Sequence, residues 1–134
     1  MSKAALTMIA NNDEEPIVVF TRFVHDWFHL LAHGNFAEAL TQLDEPNRYG
    51  EHWSTEKIED VLREYARTES VRIAAPDMVP GEAHTNLGEF ADGHGYWFDH
   101  DVPLDGQWSD LTAQFEFLSH PSGFTVVLHD IHVL

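Results

Sequence analysis

The chain has 134 residues, a length that fits one compact domain. It has no cysteine, which excludes a disulfide framework, a thiolate zinc site and a cysteine nucleophile. Seven Lys and Arg face 23 Asp and Glu, which gives a formal net charge of −16. Because such a chain repels phosphate backbones and anionic membrane surfaces, we expect neither nucleic-acid nor membrane binding. The charge fits either a solubilising surface or recognition of a basic protein.

The N-terminal segment has neither the apolar core of a signal peptide nor a run of about 20 apolar residues that would span a bilayer. We therefore expect a cytoplasmic protein. Residues 1–15 are a candidate flexible segment, and residues 16–134 are expected to form a single domain.

Three helices are predicted in the first half of the chain. Apolar residues recur at helical spacing from Pro16 to His33, and Gly34 is a natural stop. Asn35 is the expected N-cap of a second, short helix that ends before "DEPNRYG". Ser54 is the expected N-cap of a third helix that runs to Ala66.

After Ala66 the pattern becomes alternating or irregular, which predicts strands. "PLDG" and "HPSG" are turn sequences that predict two hairpins. Helices followed by a meander of strands predict an α+β fold, with the helices packed on one face of a curved antiparallel sheet. The expected strands are "SVRIAAP" and residues 86–90, 96–102, 108–118 and 124–133.

Regular alternation in the last strand predicts two largely apolar faces, a pattern that fits a sheet covered on both sides. One face would carry Thr125, Val127, His129, Ile131 and Val133. The other would carry Phe124, Val126, Leu128, Asp130 and His132.

Three segments resemble bacterial immunity proteins of the nuclear-transport-factor-2-like superfamily: "FVHDWFHLLAHGNFAEALTQLDEPNRYGEHWS", "GEFADGHGYWFDHDVPLDGQWSDLTAQFEF" and the closing "VVLHDIHVL". The resemblance implies a cystatin-like cone, in which a strongly curved sheet wraps over the helices. It also implies that the protein neutralises a toxin and forms a homodimer through the sheet face. Because the superfamily also holds isomerases and dehydratases, its fold alone does not supply a function.

The stretch "GYWFDHDVPLDGQWSD", residues 95–110, interleaves acids with aromatic side chains. Aromatic anchors surrounded by charge are typical of protein-binding surfaces. The alternative is that the aromatic residues are core and the acids are solvated edge and turn residues. The candidate partner-binding residues are Tyr96, Trp97, Asp99, Asp101, Asp105, Trp108 and Asp110.

The alternative is a pocket enzyme or small-ligand binder that uses Asp99, Asp130 and His132. In the enzyme, Asp99 with His100, or Asp130 with His132, would transfer a proton, and Tyr96 would be an oxyanion donor. Burial in an apolar pocket would raise the pKa of an aspartate toward neutrality and make it a usable base. On a regular strand, however, Asp99 and His100 point to opposite faces and cannot act on one atom. We therefore expect a binding protein without a cofactor rather than an enzyme.

The ten histidines raise the question of a metal site. His25 and His29 are four residues apart on the first helix, and His129 and His132 are three apart on a strand. The helix pair has no matching third ligand, and the strand pair lies on opposite faces of its strand, so no metal site is expected.

Overall fold

The computed structural model describes residues 9–10, 14–47 and 49–134, and it has an α+β fold. The candidate flexible segment at residues 1–15 lies mostly outside the described residues. Ile9–Ala10 is an exception, because these two residues form strand β1, which the sequence did not predict. Within the described ranges no helix is long and apolar enough to cross a bilayer.

The three predicted helices are confirmed: α1 spans Pro16–Ala32, α2 spans Phe36–Thr41 and α3 spans Thr55–Ala66. Ser54 caps α3 as predicted, because its hydroxyl accepts a hydrogen bond from the Lys57 backbone N–H. Asn35 is the N-cap residue of α2 as predicted, but its side chain makes no capping hydrogen bond.

The C-terminal half forms an antiparallel sheet whose strand order is β1-β5-β4-β3-β2. Strand β2 spans Thr85–Glu89, β3 Gly95–Leu104, β4 Gln107–His120 and β5 Gly123–Val133. The predicted strand at "SVRIAAP" is wrong. Only an isolated bridge joins Ile73 to Leu104, and the chain then enters a single 3-10 turn at Pro76–Met78.

The predicted "PLDG" turn joins β3 to β4 through Asp105 and Gly106. Both residues have positive φ, of 51° and 82°, as a two-residue hairpin with the twist of its strands requires. Because Asp105 is not a glycine, its backbone needs support. Its carboxylate accepts a hydrogen bond from the Arg72 backbone N–H, and its own N–H donates to the Arg72 carbonyl.

A β-bulge corrects the predicted faces of the last strand. Gln114 pairs with Asp130, but the next residue of β4, Phe115, pairs with Leu128, so His129 is the extra residue. Residues that pair directly point to the same face. Ile131 therefore lies on the inner face with Leu128, whereas Asp130 and His132 lie on the outer face. The outer face is consequently more polar than regular alternation predicts.

The space between α1 and the inner face of the sheet is filled by aromatic rings. Phe20 stacks on Phe117 with ring centroids 4.0 Å apart and planes 3° apart. Trp27 packs edge-to-face on Phe115 at 5.4 Å and donates its indole N–H to the Ala39 carbonyl. All of these rings are buried. Aromatic bulk of this kind supplies a large share of core stability.

Candidate functional site on the outer face of the sheet

Charge is distributed unevenly along the chain. After Arg72 there is no Lys or Arg, so strands β2 to β5 carry carboxylates without any permanent cation. A region of one sign of charge attracts ligands of the opposite sign. The acids in this region are Asp77, Glu82, Glu89, Asp92, Asp99, Asp101, Asp105, Asp110, Glu116 and Asp130.

Trp97 and Asp99 lie on the outer face of β3, as alternation predicts. Trp97 is 37% exposed and pairs across the sheet with Glu116 on one side and Gly88 on the other. Asp99 pairs with Gln114, whose amide donates a long hydrogen bond of 3.4 Å to its carboxylate. Burial raises the pKa of Asp99, and the Gln114 hydrogen bond opposes this effect.

Tyr96, the neighbouring candidate, lies on the inner face. Its ring packs edge-to-face on Phe20 at 5.4 Å and on Phe124 at 5.9 Å. Its main contribution is to the core beside α1, and the structure does not bring it together with Asp99.

The carboxylates of Asp101 and Asp110 are held by neighbouring groups of the chain. Asp101 is only 7% exposed, and it accepts hydrogen bonds from the His84 backbone N–H at 2.8 Å and from the His84 ring at 3.1 Å. Asp110 accepts a hydrogen bond from the Tyr65 hydroxyl of α3. These contacts give both acids a structural role.

Trp108 and Asp105 lie toward the β3–β4 hairpin, at a distance along the strands from Trp97. The Trp108 indole donates to the Gly81 carbonyl at 3.2 Å, and its ring stacks on His25 at 6.0 Å. The Asp105 carboxylate supports its own turn. The seven predicted partner-binding residues therefore divide between the inner core, the hairpin end and the outer face.

The residues of the enzymatic alternative are brought together only in part. Asp130 and His132 share the outer face with Asp99, and the Asp130 carboxylate lies 2.6 Å from the His132 ring nitrogen. Tyr96 projects from the opposite side of the sheet. The four side chains therefore do not converge on one atom, and the three on the outer face surround no enclosed apolar pocket.

A pair of histidines between α1 and the inner face, His25 half-buried and His100 buried, was not predicted. His100 is fully buried, and its Nδ1 lies 2.6 Å from the Asp101 carbonyl, which can only accept, so Nδ1 carries the proton. Nε2 of His100 then accepts from Nε2–H of His25 at 3.1 Å. Burial lowers the pKa of His100 to about 4, and burial also lowers the pKa of His25. Both rings are neutral packing groups near pH 7.

A shallow depression of about 300 Å³ lies beside Trp97 and Asp99. Gln114 and Glu116 lie on one face of β4, where they pair with Asp99 and Trp97 of β3. This arrangement follows from the two-residue period of the strands once the register of β3 against β4 is known. The lining residues are Phe90, Trp97, Asp99, Gln114, Phe115, Glu116 and His129.

Metal binding finds no support in the geometry. Within residues 9–10, 14–47 and 49–134, no three His, Asp or Glu side chains come close enough together to hold a metal ion. The closest His–carboxylate contacts join neighbours in sequence, as in Asp130 with His132.

Residues 28–134 match the model of a family described as a domain of unknown function, DUF7668. The chain belongs to this family. The matched region includes α2, α3 and strands β2 to β5, so the outer sheet face lies within the family domain. No curated protein and no solved structure is similar enough to this chain to match it.

Proposed function

We propose that this member of the DUF7668 family is a non-catalytic protein-binding domain, and that the outer face around Trp97 and Asp99 docks a partner with a basic surface. One observation carries the proposal: a half-exposed tryptophan stands within a region that has carboxylates and no Lys or Arg. Exposed aromatic anchors surrounded by charge are the residues that dominate protein interfaces.

The filled interior supports binding over catalysis. Small-molecule sites are concave and bury most of their ligand. Here the rings of Phe20, Trp27 and Phe117 occupy the space between α1 and the sheet. The acid–base groups that remain lie on an open face. An enzyme of the isomerase or dehydratase kind would need an interior cavity that these rings fill.

The resemblance to bacterial immunity proteins gives the proposal its more specific form. In this form the chain folds as the cone of the nuclear-transport-factor-2-like superfamily and neutralises a basic toxin in the cytoplasm. Masking a basic active site needs a rigid surface of opposite charge, because charge complementarity speeds encounter and selects the partner. The rigid sheet and its acidic outer face are suited to that task.

A homodimer through the sheet face stays a prediction, and the charges of that face work against it. Face-to-face packing would bring Asp99, Glu116 and Asp130 of one copy close to the same carboxylates of the other. Like charges in contact cost free energy unless a cation is placed between them. Light scattering at low and high salt tests this: a dimer that forms only at high salt would fit repulsion, and a monomer at both would favour a different partner.

The proposal is tested by purifying the tagged protein from its own host at low salt and identifying what binds in stoichiometric amount. Wild type is compared with Asp99→Asn and Trp97→Ala. Glu64→Gln, on exposed α3, is the matched control because it removes the same charge elsewhere. We expect both sheet variants to lose the partner while the control keeps it.

Circular dichroism and thermal unfolding must first show that every variant is folded. A basic partner retained equally by all three variants would exclude the outer face as its docking site. A bound small molecule released on denaturation, with no protein partner, would instead favour the alternative of a ligand-binding pocket.

A further inference from the structure

The four tryptophans differ in how their indole N–H groups are used. Trp27 donates to Ala39 and Trp108 donates to Gly81, in each case to a backbone carbonyl. Trp53 likewise donates to the Leu128 carbonyl at 2.7 Å. Trp97 has no hydrogen-bond partner among the described residues. Three indoles are therefore fixed by hydrogen bonds within the fold, whereas Trp97 is not and offers a ligand the face of an exposed ring.

The aspartates of the sheet differ in the same way. Asp101, Asp105 and Asp110 each accept a hydrogen bond from a backbone N–H or a tyrosine hydroxyl. Among the described residues, the one hydrogen bond that Asp99 accepts is the 3.4 Å contact from Gln114. A partly buried carboxylate with one long hydrogen bond has lost hydration without full replacement. The exposed ring of Trp97 and the incompletely hydrogen-bonded carboxylate of Asp99 are two residues apart on one face.

Gly88 fixes the position of the Trp97 ring. A Cβ atom at Gly88 would overlap the edge of the indole that carries Nε1, so the ring lies across strand β2 at the one residue that has no side chain. The ring is thereby held as one wall of the depression. The Nδ1 atom of His129, a residue that also lines the depression, is buried and has no hydrogen-bond partner.

We propose that this depression binds an arginine side chain of the partner protein, an inference that rests on the proposed function and names its chemistry. The guanidinium stacks on the indole of Trp97, and its N–H groups donate to the carboxylate of Asp99. Glu116, which pairs with Trp97 across the strands, adds a second negative charge beside the ring.

Arginine fits these groups better than other ligands. Its planar guanidinium stacks on aromatic faces, and its fixed fork of donors matches a carboxylate. Lysine would satisfy the charge but presents a compact, strongly hydrated ammonium. An anion is repelled by Asp99 and Glu116, and an apolar side chain would leave the Asp99 carboxylate desolvated without a new donor.

The test uses N-acetyl-arginine methylamide as the probe and the neutral N-acetyl-citrulline methylamide as its isostere. Both are titrated into ¹⁵N-labelled full-length protein, and the four indole N–H resonances are followed by NMR. We expect arginine to shift the Trp97 resonance saturably, with the other three indoles as internal references. Asp99→Asn should weaken binding about tenfold, the effect of one charge-assisted hydrogen bond.

Gly88→Ala tests the position of the ring without changing any charge, and we expect it to weaken arginine binding as well. Glu64→Gln should leave binding unchanged. Equal shifts with citrulline, an unsaturable shift, or wild-type affinity in Asp99→Asn would each overturn the arginine site. If arginine does not bind but Asp99→Asn still loses the protein partner, the docking face stands without an arginine site. Arginine binding without any partner would instead overturn the proposed function.

Discussion

The inner face of the sheet meets α1 through stacked aromatic rings, whereas the outer face carries carboxylates around a half-exposed tryptophan. On the inner face even the polar groups are satisfied, because both nitrogens of His100 have partners and Trp27 donates to Ala39. On the outer face Trp97 has no hydrogen-bond partner among the described residues, and Asp99 has one long contact.

Hydrogen-bond satisfaction therefore separates structural residues from candidate binding residues better than charge or aromaticity does. Asp101 and Asp99 are both acids of one strand, but Asp101 accepts two hydrogen bonds from His84, at 2.8 and 3.1 Å, whereas Asp99 accepts one of 3.4 Å from the described residues. Trp108 and Trp97 are both partly exposed, but Trp108 donates its indole N–H to the Gly81 carbonyl, whereas Trp97 has no hydrogen-bond partner among the described residues. In a strongly acidic chain, therefore, an incompletely satisfied side chain is more informative than a negative one.

The largest expected contrast in stability comes from removing one aromatic ring from each face of the sheet. Phe117→Ala should lower the free energy of unfolding by roughly 3–5 kcal/mol, because it leaves a cavity against Phe20 in the core. Trp97→Ala should cost no more than about 1 kcal/mol, since its ring is partly solvated. Urea unfolding measures both. A comparable loss in the two variants would mean that Trp97 is a core residue and not a binding one.

The next effect is a dependence of stability on pH that arises on the inner face. Burial lowers the folded-state pKa of His100 to about 4. Its contribution to the free energy of unfolding is therefore complete above the unfolded pKa of about 6.5 and is lost as the pH falls toward 4. The loss should reach roughly 3 kcal/mol over this range.

Urea unfolding at several pH values between these limits measures the change. His100→Phe should flatten the profile, and His52→Gln, at an exposed position, should not. An unaltered profile in His100→Phe would assign the acid sensitivity to other groups.

The smallest effect compares two matched amide substitutions on β3. Asp101→Asn should destabilise the protein by about 1–2 kcal/mol, because it weakens the hydrogen bonds to His84. Asp99→Asn should leave the unfolding free energy at pH 7 unchanged or raise it. Burial raises the pKa of Asp99, so the folded protein disfavours its ionised form at that pH. A clear loss of thermal stability in Asp99→Asn would show that Asp99 is structural.

Local chemistry made much of the fold predictable. Ser54 begins α3 because a hydroxyl can cap the first turn, and Asp105 with Gly106 form the hairpin that "PLDG" predicts. The outward positions of Trp97 and Asp99 follow from the two-residue period of a strand.

Long-range contacts explain what the sequence did not predict. The bulge at His129 depends on the register of β5 against β4, which no local pattern states. Asp101 is held by His84, seventeen residues earlier, whose backbone N–H donates to its carboxylate. The indole donors of Trp27, Trp53 and Trp108 likewise bind backbone carbonyls distant in sequence. That Trp97 has no such partner among the described residues is therefore visible only in the folded chain.

The lack of Lys and Arg after Arg72 also determines which reagents report on this protein. Its two lysines are Lys3 and Lys57, so a cross-linker that joins amines has no side-chain attachment point on strands β2 to β5. A carbodiimide, which couples carboxylates to amines, would join these strands to the lysines of whatever binds them. Trypsin would leave strands β2 to β5 in one long peptide that starts at Ile73. Mapping such links therefore requires a protease that cleaves at acidic or aromatic residues.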